Sequence, residues 1–457
     1  MCLVSADNTA RVLLDELTAN ATERAAPAET LSFEVLNHAS VNITGGSVSL
    51  VSDPWYSGFC FRGGWGLRYA NPDAMARAAE ASHLWISHLH GDHLHIPTLK
   101  ELAKRAPGIT VLANRGANFD VRTILEPFGF KSFVALDERK EIALSDDFRV
   151  MRYPTSGIDN MLLMRVGGRT ILNYNDCNIP VGAAQSLRKK IGPIDVLMLS
   201  YNHAFKWFED EEAEAIKEQA KQRFLRIVDA FQPRQVIPFA SAHYYRAKDA
   251  LWQNESLLDT NDLKEVSPQV LPVNVGMQAV FAKAGVQLSV RTPVVRSLVD
   301  TKRDPMDTDW DSLMTAAHGY RDRLSSAFLG VTFWIPPLRI WVEDLERMLV
   351  FDVRRGISEQ SEREGEVITA SASSLAAWFR GPYGTDTFAV GADFAVTGTD
   401  ATPLHRHLLA GVLLDNRLSG RDLVRLMSSP AGWRFLANRR EELWAILRSG
   451  MLRAGWR

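Results

Sequence analysis

At 457 residues the chain exceeds a usual single core, so two domains are expected. Hydrophobic residues make up 46% and charged residues 23%, an ordinary soluble balance, and a net charge of −2 without any Lys/Arg-rich run excludes an electrostatic footprint for nucleic acid. Three scattered cysteines, Cys2, Cys60 and Cys177, exclude a disulfide framework and a cysteine zinc site, and they fit a reducing cytoplasm. No basic segment followed by an apolar core opens the chain, and no apolar run approaches about 18 residues, so neither a signal peptide nor a membrane span is expected.

In chain order, residues 1–30 read as a peripheral helix and linker, with Val12, Leu13, Leu14 and Leu17 on one stripe. Strand texture begins at Leu31, through Phe33–Leu36, Ser40–Ile43 and Ser47–Val51, with Gly45-Gly46 as a turn. Asp53-Pro54 ends the run, because the residue before proline is forced extended. A helix over Asp73–Ala81 leads to a buried strand, Leu84-Trp85-Ile86, and to the loop Ser87–His95. Pro97 opens a helix over Thr98–Lys104, since proline is tolerated in a first turn. Beyond it come a strand at Thr110–Ala113, a helical stretch over Phe119–Glu126, and strands at Ser132–Leu136, Glu141–Leu144 and Phe148–Tyr153. Met161–Val166 and Arg169–Asn173 flank Gly167-Gly168 as a hairpin. Strands at Val196–Ser200 and Gln235–Phe239 enclose an amphipathic helix over Asp210–Phe231. Two sheets with helices outside them, an α/β fold of the αββα sandwich type, account for this order.

The loop is the chemically informative stretch. Four of the chain's 11 histidines fall at His88, His90, His93 and His95, with Asp92 among them. A buried strand delivers this loop, Gly91 lets it turn, and a helix pins its far end, which holds metal ligands without loop entropy undoing the site. In an extended stretch His88 and His90 project to the same side and can share a cation. Asp92 and His93 follow where the turn redirects the chain and can reach a second cation or the first one's water. Imidazole suits zinc, iron, copper or nickel, and carboxylate adds hard-oxygen character. The bland alternative is a polar surface loop, but histidines this dense after a buried strand have little structural use. His95 reads as an outer or solvated group.

His88-x-His90-x-Asp92-His93 resembles the metal-binding signature of the metallo-β-lactamase fold superfamily. The wider stretch Ile86–Leu94 with Pro97-Thr98-Leu99 is similar to one branch, the metallo-β-lactamase-like part of the CMP-N-acetylneuraminate hydroxylases. Asp53-Pro54-Trp55, Gly63-Gly64-Trp65, Ile171-Leu172-Asn173 running into Asp176-Cys177, and Pro238-Phe239-Ala240 carry the same resemblance, over residues 31–255. It implies that Asp53 supports the metal loop, with a turn cap as the alternative. It also implies that Asp176 bridges two metals or closes one site, and that the last ligand is His243, with His203 as competitor. Asp92 would be the catalytic group that orients a metal-bound water or takes its proton. One or two transition-metal ions follow, zinc or iron, with manganese admitted. The neutral charge balance counts against the superfamily's nucleases.

Two departures qualify this. Where the superfamily supplies a further histidine, this chain reads Tyr153-Pro154-Thr155-Ser156-Gly157-Ile158-Asp159, so Asp159 is the candidate replacement ligand. Carboxylate in place of imidazole shifts preference from zinc towards iron or manganese. The hydroxylases also resemble a fusion with a Rieske iron–sulfur domain, for which this chain has too few cysteines and too short a stretch before Leu31. Electrons for an oxygenation would come from a separate partner.

Three domain-level segments are expected: 1–30, a metallo-β-lactamase-like 31–295, and a C-terminal α+β domain over 296–457. Val367–Ala372 reads there as strand, Ser374–Phe379 as helix and Phe388–Val396 as strand, an order weakly similar to a sterol-carrier-like module. His405 and His407 read as solvated. Trp55, Arg62, His203, Lys206 and Tyr244 are the substrate-binding candidates, within an aromatic rim that suits a small anionic molecule unless it only packs the sheet edges. Hydrolysis by a metal-activated water leads by the superfamily's base rate. The alternatives are a di-iron oxygenation and a non-enzymatic binding protein, and homo-oligomerisation stays open.

Overall fold

The structure is a computed structural model that describes residues 30–115, 120–155, 159–204, 212–301, 308–328, 332–360, 362–381, 383–415 and 419–420. The expected helix within 1–30 lies outside the described residues, apart from residue 30 itself.

Two sheets face one another. The larger has eight strands in the order Gly285–Val290, Met277–Ala282, Leu31–Asn37, Ser40–Gly45, Val48–Ser52, His83–Trp85, Thr110–Asn114 and Ser132–Leu136. The smaller has six, in the order Glu141–Ala143, Phe148–Pro154, Asn160–Val166, Arg169–Asn175, Val196–Leu199 and Gln235–Pro238. Alternate residues of each sheet meet between them: Phe33, Val35 and Ile43 from one, Val150, Leu162, Met164 and Ile171 from the other. Outside the larger sheet, Leu99 and Leu102 of helix Ile96–Arg105 bury against Leu84, Ile86 and Val111. Outside the smaller one, Ala220, Phe224 and Ile227 of helix Ala213–Phe231 bury against Leu172 and Leu197. That is the expected αββα sandwich. Both sheets turn parallel where helices cross over, at Val48–Ser52 with His83–Trp85 and at Arg169–Asn175 with Val196–Leu199. In such sheets the carboxyl ends of parallel strands share one edge, and the histidine loop leaves the sheet there, after Trp85.

A further five-stranded sheet follows, in the order Gly356–Gln360, Arg347–Asp352, Leu338–Val342, Ile368–Ala370 and Ala395–Val396. Helices Trp310–Ala327 and Ala372–Arg380 close its core through Leu313, Tyr320, Leu375 and Trp378. The expected strand Phe388–Val396 is corrected here: Gly384–Gly391 is helical, and only Ala395–Val396 is strand. Phe and Val favour strands locally, but the buried positions Gly384, Thr385, Phe388 and Gly391 recur about every three residues, and Phe388 stacks on Trp378 with centroids 4.6 Å apart. The sterol-carrier likeness had leaned on that strand.

Candidate metal centre

Trp85 ends its strand fully buried, and its indole N–H donates to Asn114 Oδ1 at 3.0 Å. Asn114 Nδ2 then donates to the Ile86 and Ser87 carbonyls, and Asn160 Nδ2 to the Ser87 carbonyl at 2.7 Å. The adjacent strand and one strand of the facing sheet therefore grip the backbone where the loop begins. At its far end His95 caps helix Ile96–Arg105 by accepting the Thr98 N–H, so His95 is a buried cap rather than a solvated group.

Asp53 is buried, at a positive φ of 37°. Its Oδ1 accepts the Ser87 N–H at 2.7 Å, and its Oδ2 accepts Asn175 Nδ2 at 3.0 Å and lies 3.1 Å from His93 Nδ1. A carboxylate facing Nδ1 makes that nitrogen the protonated one, which leaves His93 Nε2 free to bind a cation. Ser87 Oγ lies 2.9 Å from His88 Nδ1 and orients Nε2 of that ring inward in the same way.

The inward atoms form two groups. His88, His90 and Asp176 make one; His38, Asp92 and His93 make the other. In the first, His88 Nε2 and His90 Nδ1 are 2.8 Å apart, and His88 Nε2 lies 3.8 Å from Asp159 Oδ1 and 3.7 Å from Asp176 Oδ2. In the second, Asp92 Oδ2 is 3.0 Å from His38 Nε2 and 3.3 Å from His93 Nε2. Asp176 Oδ2 is also 3.4 Å from His93 Nε2, so this carboxylate stands between the groups. At bond lengths of about 2.0–2.2 Å, ligands sharing an ion sit within about 4.4 Å of each other, and the distances above fall inside that limit.

The electrostatics point to a cation. Burial alone would raise the Asp92 carboxyl, but the His93 charge and the His38 and His93 contacts outweigh it and hold Asp92 ionised. Asp176 is likewise held low by His88 and His93 against burial. Asp159 goes the other way: burial and the Asp176 charge push it up to about 7. Burial would keep His93 neutral, yet Asp92, Asp176 and Asp53 drive its pKa well above the ordinary value. Burial would also lower His90, but the Asp386 carboxylate raises it to about 9. A divalent ion bound among these carboxylates would replace the protons on histidine. Among the described residues, buried Asp92 Oδ1, Asp176 Oδ1 and His93 Nε2 have no hydrogen-bond partner. A bound metal would account for such atoms, and the donor set fits it.

His38 went unrecognised in the sequence reading. It sits at a strand-to-strand turn with φ 33°, its carbonyl accepting the Ala240 N–H at 2.8 Å. The signal was a histidine at a hairpin turn on the same sheet edge as the loop. His243 lies beside the second group rather than within it: its ring stacks on Trp65 at 3.7 Å and stands 5.7 Å from the His38 ring. Burial lowers its pKa well below the usual value, keeping it neutral as a ligand must be. His203 is buried, with Nε2 2.8 Å from Ser256 Oγ and Nδ1 2.9 Å from Tyr245 Oη, so both ring nitrogens are engaged by the fold.

The aromatic rim packs. Trp55, Phe61, Trp65 and Tyr245 form a buried cluster with Ala392 of the C-terminal part. Tyr244, on the opposite face of its strand from His243, donates to Asp300 at 2.8 Å and is not brought to the ligands. Arg62 donates to Ser373 Oγ at 2.9 Å. Lys206 and Trp207 lie outside the described residues.

Residues 32–240 match the Beta-lactamase superfamily domain, and with this fold and ligand loop that segment is a metallo-β-lactamase-superfamily domain. Within that class, the chain is 29% identical over 232 residues to the cytidine monophosphate-N-acetylneuraminic acid hydroxylase of Danio rerio, covering 46% of this chain and 38% of that one. It is 30% identical over 227 residues to the Gorilla gorilla gorilla hydroxylase, covering 45% and 36%. The chain thus spans under half the length of these curated relatives. Similar solved structures include CmlA, a diiron β-hydroxylase from Streptomyces venezuelae, at 18% identity over 59% of each chain and a TM-score of 0.39. A metallo hydrolase from Ignicoccus hospitalis is 15% identical over 55% of this chain and 98% of that one, with a TM-score of 0.40. Among the described residues no helix is long and apolar enough to cross a membrane.

Proposed function

We propose that His88, His90, Asp159 and Asp176 hold one transition-metal ion, that His38, Asp92, His93 and Asp176 hold a second, and that the enzyme uses them to hydroxylate a small molecule with dioxygen. The observation that carries this reading is Asp159 Oδ1 at 3.8 Å from His88 Nε2, where the superfamily's zinc sites have another histidine. Two imidazoles and a carboxylate around one position favour iron over zinc. The likeness to hydroxylases over residues shared with the domain supports the same choice.

Held by these residues, an iron pair would supply dioxygen activation, with one oxygen atom going to a C–H bond and the other to water for two electrons and two protons. The three scattered cysteines of this sequence hold no iron–sulfur cluster, so the electrons come from outside these residues. The protein's own part is to hold acceptors in place. Asp53 and Ser87 fix the ring orientations of His93 and His88, and the ionised Asp92, with Oδ1 free, can receive a proton at that atom.

The second reading is hydrolysis. A buried, ionised Asp92 within the second group favours it, since that carboxylate could take a proton from a metal-held water. Arg62 and Tyr244 are engaged elsewhere and lend no weight to an anionic substrate, so the substrate class stands at a small molecule. Metal analysis with oxygen exposure separates the readings. We expect about two irons per chain after anaerobic Fe(II) loading, and an absorbance change when the reduced protein meets oxygen. Zinc retained on purification, with iron-loaded protein inert to oxygen, would sink the oxygenase reading and leave hydrolysis.

A further inference from the structure

We infer that Asp386, in the C-terminal part, is the outer carboxylate that positions His90, so that the metal centre is complete only when helix Gly384–Gly391 is docked on the sandwich. This rests on the reading of His90 as a metal ligand, and its test separates the two.

Every other loop histidine directed into the centre has an outer partner from its own domain. His93 Nδ1 faces Asp53 Oδ2 at 3.1 Å, and His88 Nδ1 faces Ser87 Oγ at 2.9 Å. His90 is turned the other way. Its Nδ1 faces His88 Nε2 at 2.8 Å, which makes Nε2 its outer atom. That atom lies 3.9 Å from Asp386 Oδ2, nearly 300 residues further along the chain. The distance is that of an ion pair rather than a hydrogen bond. A ligand histidine with a carboxylate behind it is fixed in tautomer and orientation and is the more basic donor.

The helix that carries Asp386 is held against the sandwich at its other end. A Cβ on Gly64 would overlap the Gly391 carbonyl, and one on Gly391 would come within 3.0 Å of the Phe61 carbonyl. Glycine on both sides lets the two backbones touch. Arg62 Nη2 reaches Ser373 Oγ at 2.9 Å, and Ala392 is buried among Phe61, Trp65 and Tyr245. The segment that presses on Phe61–Gly64 is therefore the one that brings a carboxylate to His90.

A first-turn acid also interacts well with its own helix's N-terminus, and that role alone would place Asp386 in solvent. The side chain is instead only 18% exposed and directed at the ring. The two roles differ in what they control, namely metal affinity in one case and helix stability in the other.

The test uses the full chain, stripped with chelator and titrated with Co(II), following the visible d–d bands and the stoichiometry by equilibrium dialysis. Asp386→Ala should weaken one of the cobalt sites by about 10–100-fold and alter its band. Asp386→Asn keeps an oxygen for the His90 N–H and should recover part of the affinity; it carries the test alone if Asp386→Ala fails to fold. Wild-type affinity and spectrum in the folded variants would overturn the inference while leaving the metal centre standing. A wild-type chain that takes up no cobalt would overturn both.

Discussion

His38 Nε2 lies 3.0 Å from Asp92 Oδ2, a buried contact between residues 54 positions apart. It ties the first hairpin of the larger sheet to the metal loop, and it adds an imidazole to the second group that the loop cannot supply. His38→Ala should lower affinity for one of the two ions by at least about 10–100-fold, as loss of a ligand or its immediate partner does. Elemental analysis of protein purified with and without brief chelation checks this. Full retention of both ions would remove His38 from the site.

Asp159 has a sharper consequence. Its backbone carbonyl accepts the Thr155 N–H and hydroxyl, while its side chain points at His88, so the turn survives truncation of the carboxylate. Asp159→Ala should remove about one metal and most activity with little change in thermal midpoint. A cap lost from a turn would instead cost about 1 kcal/mol and leave the metal alone. Stoichiometry and midpoint measured on one sample tell these apart.

Asp53→Asn probes the support beneath the loop. The amide oxygen can still accept the Ser87 N–H, but its NH2 then confronts the donors of Asn175 and His93. His93 is released from its tautomer, and metal affinity should fall about 10–100-fold. A fully buried donor clash should also cost about 1–3 kcal/mol. Denaturant melts of metal-free protein read the second effect and cobalt titration the first. Unchanged values in both would mean that the Asp53 contacts are dispensable.

His407 offers a pH test away from the metal. It is buried, with Nε2 2.8 Å from the Pro336 carbonyl, and burial lowers its pKa to about 4. Between the ordinary value of about 6.5 and 4 the unfolded chain binds the proton and the folded one does not, so stability falls as pH drops through that window. The loss approaches about 3 kcal/mol near pH 4. His407→Gln keeps a donor for Pro336 and should flatten that part of the curve. His95, lowered to about 4, acts in the same direction, and Asp415, raised to about 6, in the opposite one; the difference between wild type and variant isolates His407. Parallel melting curves from pH 7 to pH 4.5 would refute the assignment.

What the sequence determined by itself was everything local. The spacing of His88, His90, Asp92 and His93 after a buried strand is short-range information, because one strand and one helix bracket all four residues. The αββα order was legible for the same reason, since alternating and amphipathic runs must each bury an apolar face. Asp159 and Asp176 could be picked out because the resemblance to the superfamily places ligands beside these strand ends, and each borders a strand whose pattern is plain. His38, Asp386 and the true surroundings of Trp65 and Tyr244 were decided by tertiary structure alone. Their roles depend on which strand ends the sheet order brings together and on a helix docking from the far half of the chain. No periodicity encodes that, because a lone histidine at a turn, or an aspartate in a first helical turn, reads identically whether it faces water or a metal. The misread Phe388–Val396 stretch has the same cause: its residues favour a strand locally, and stacking on Trp378 and close approach to Phe61 outweigh that preference.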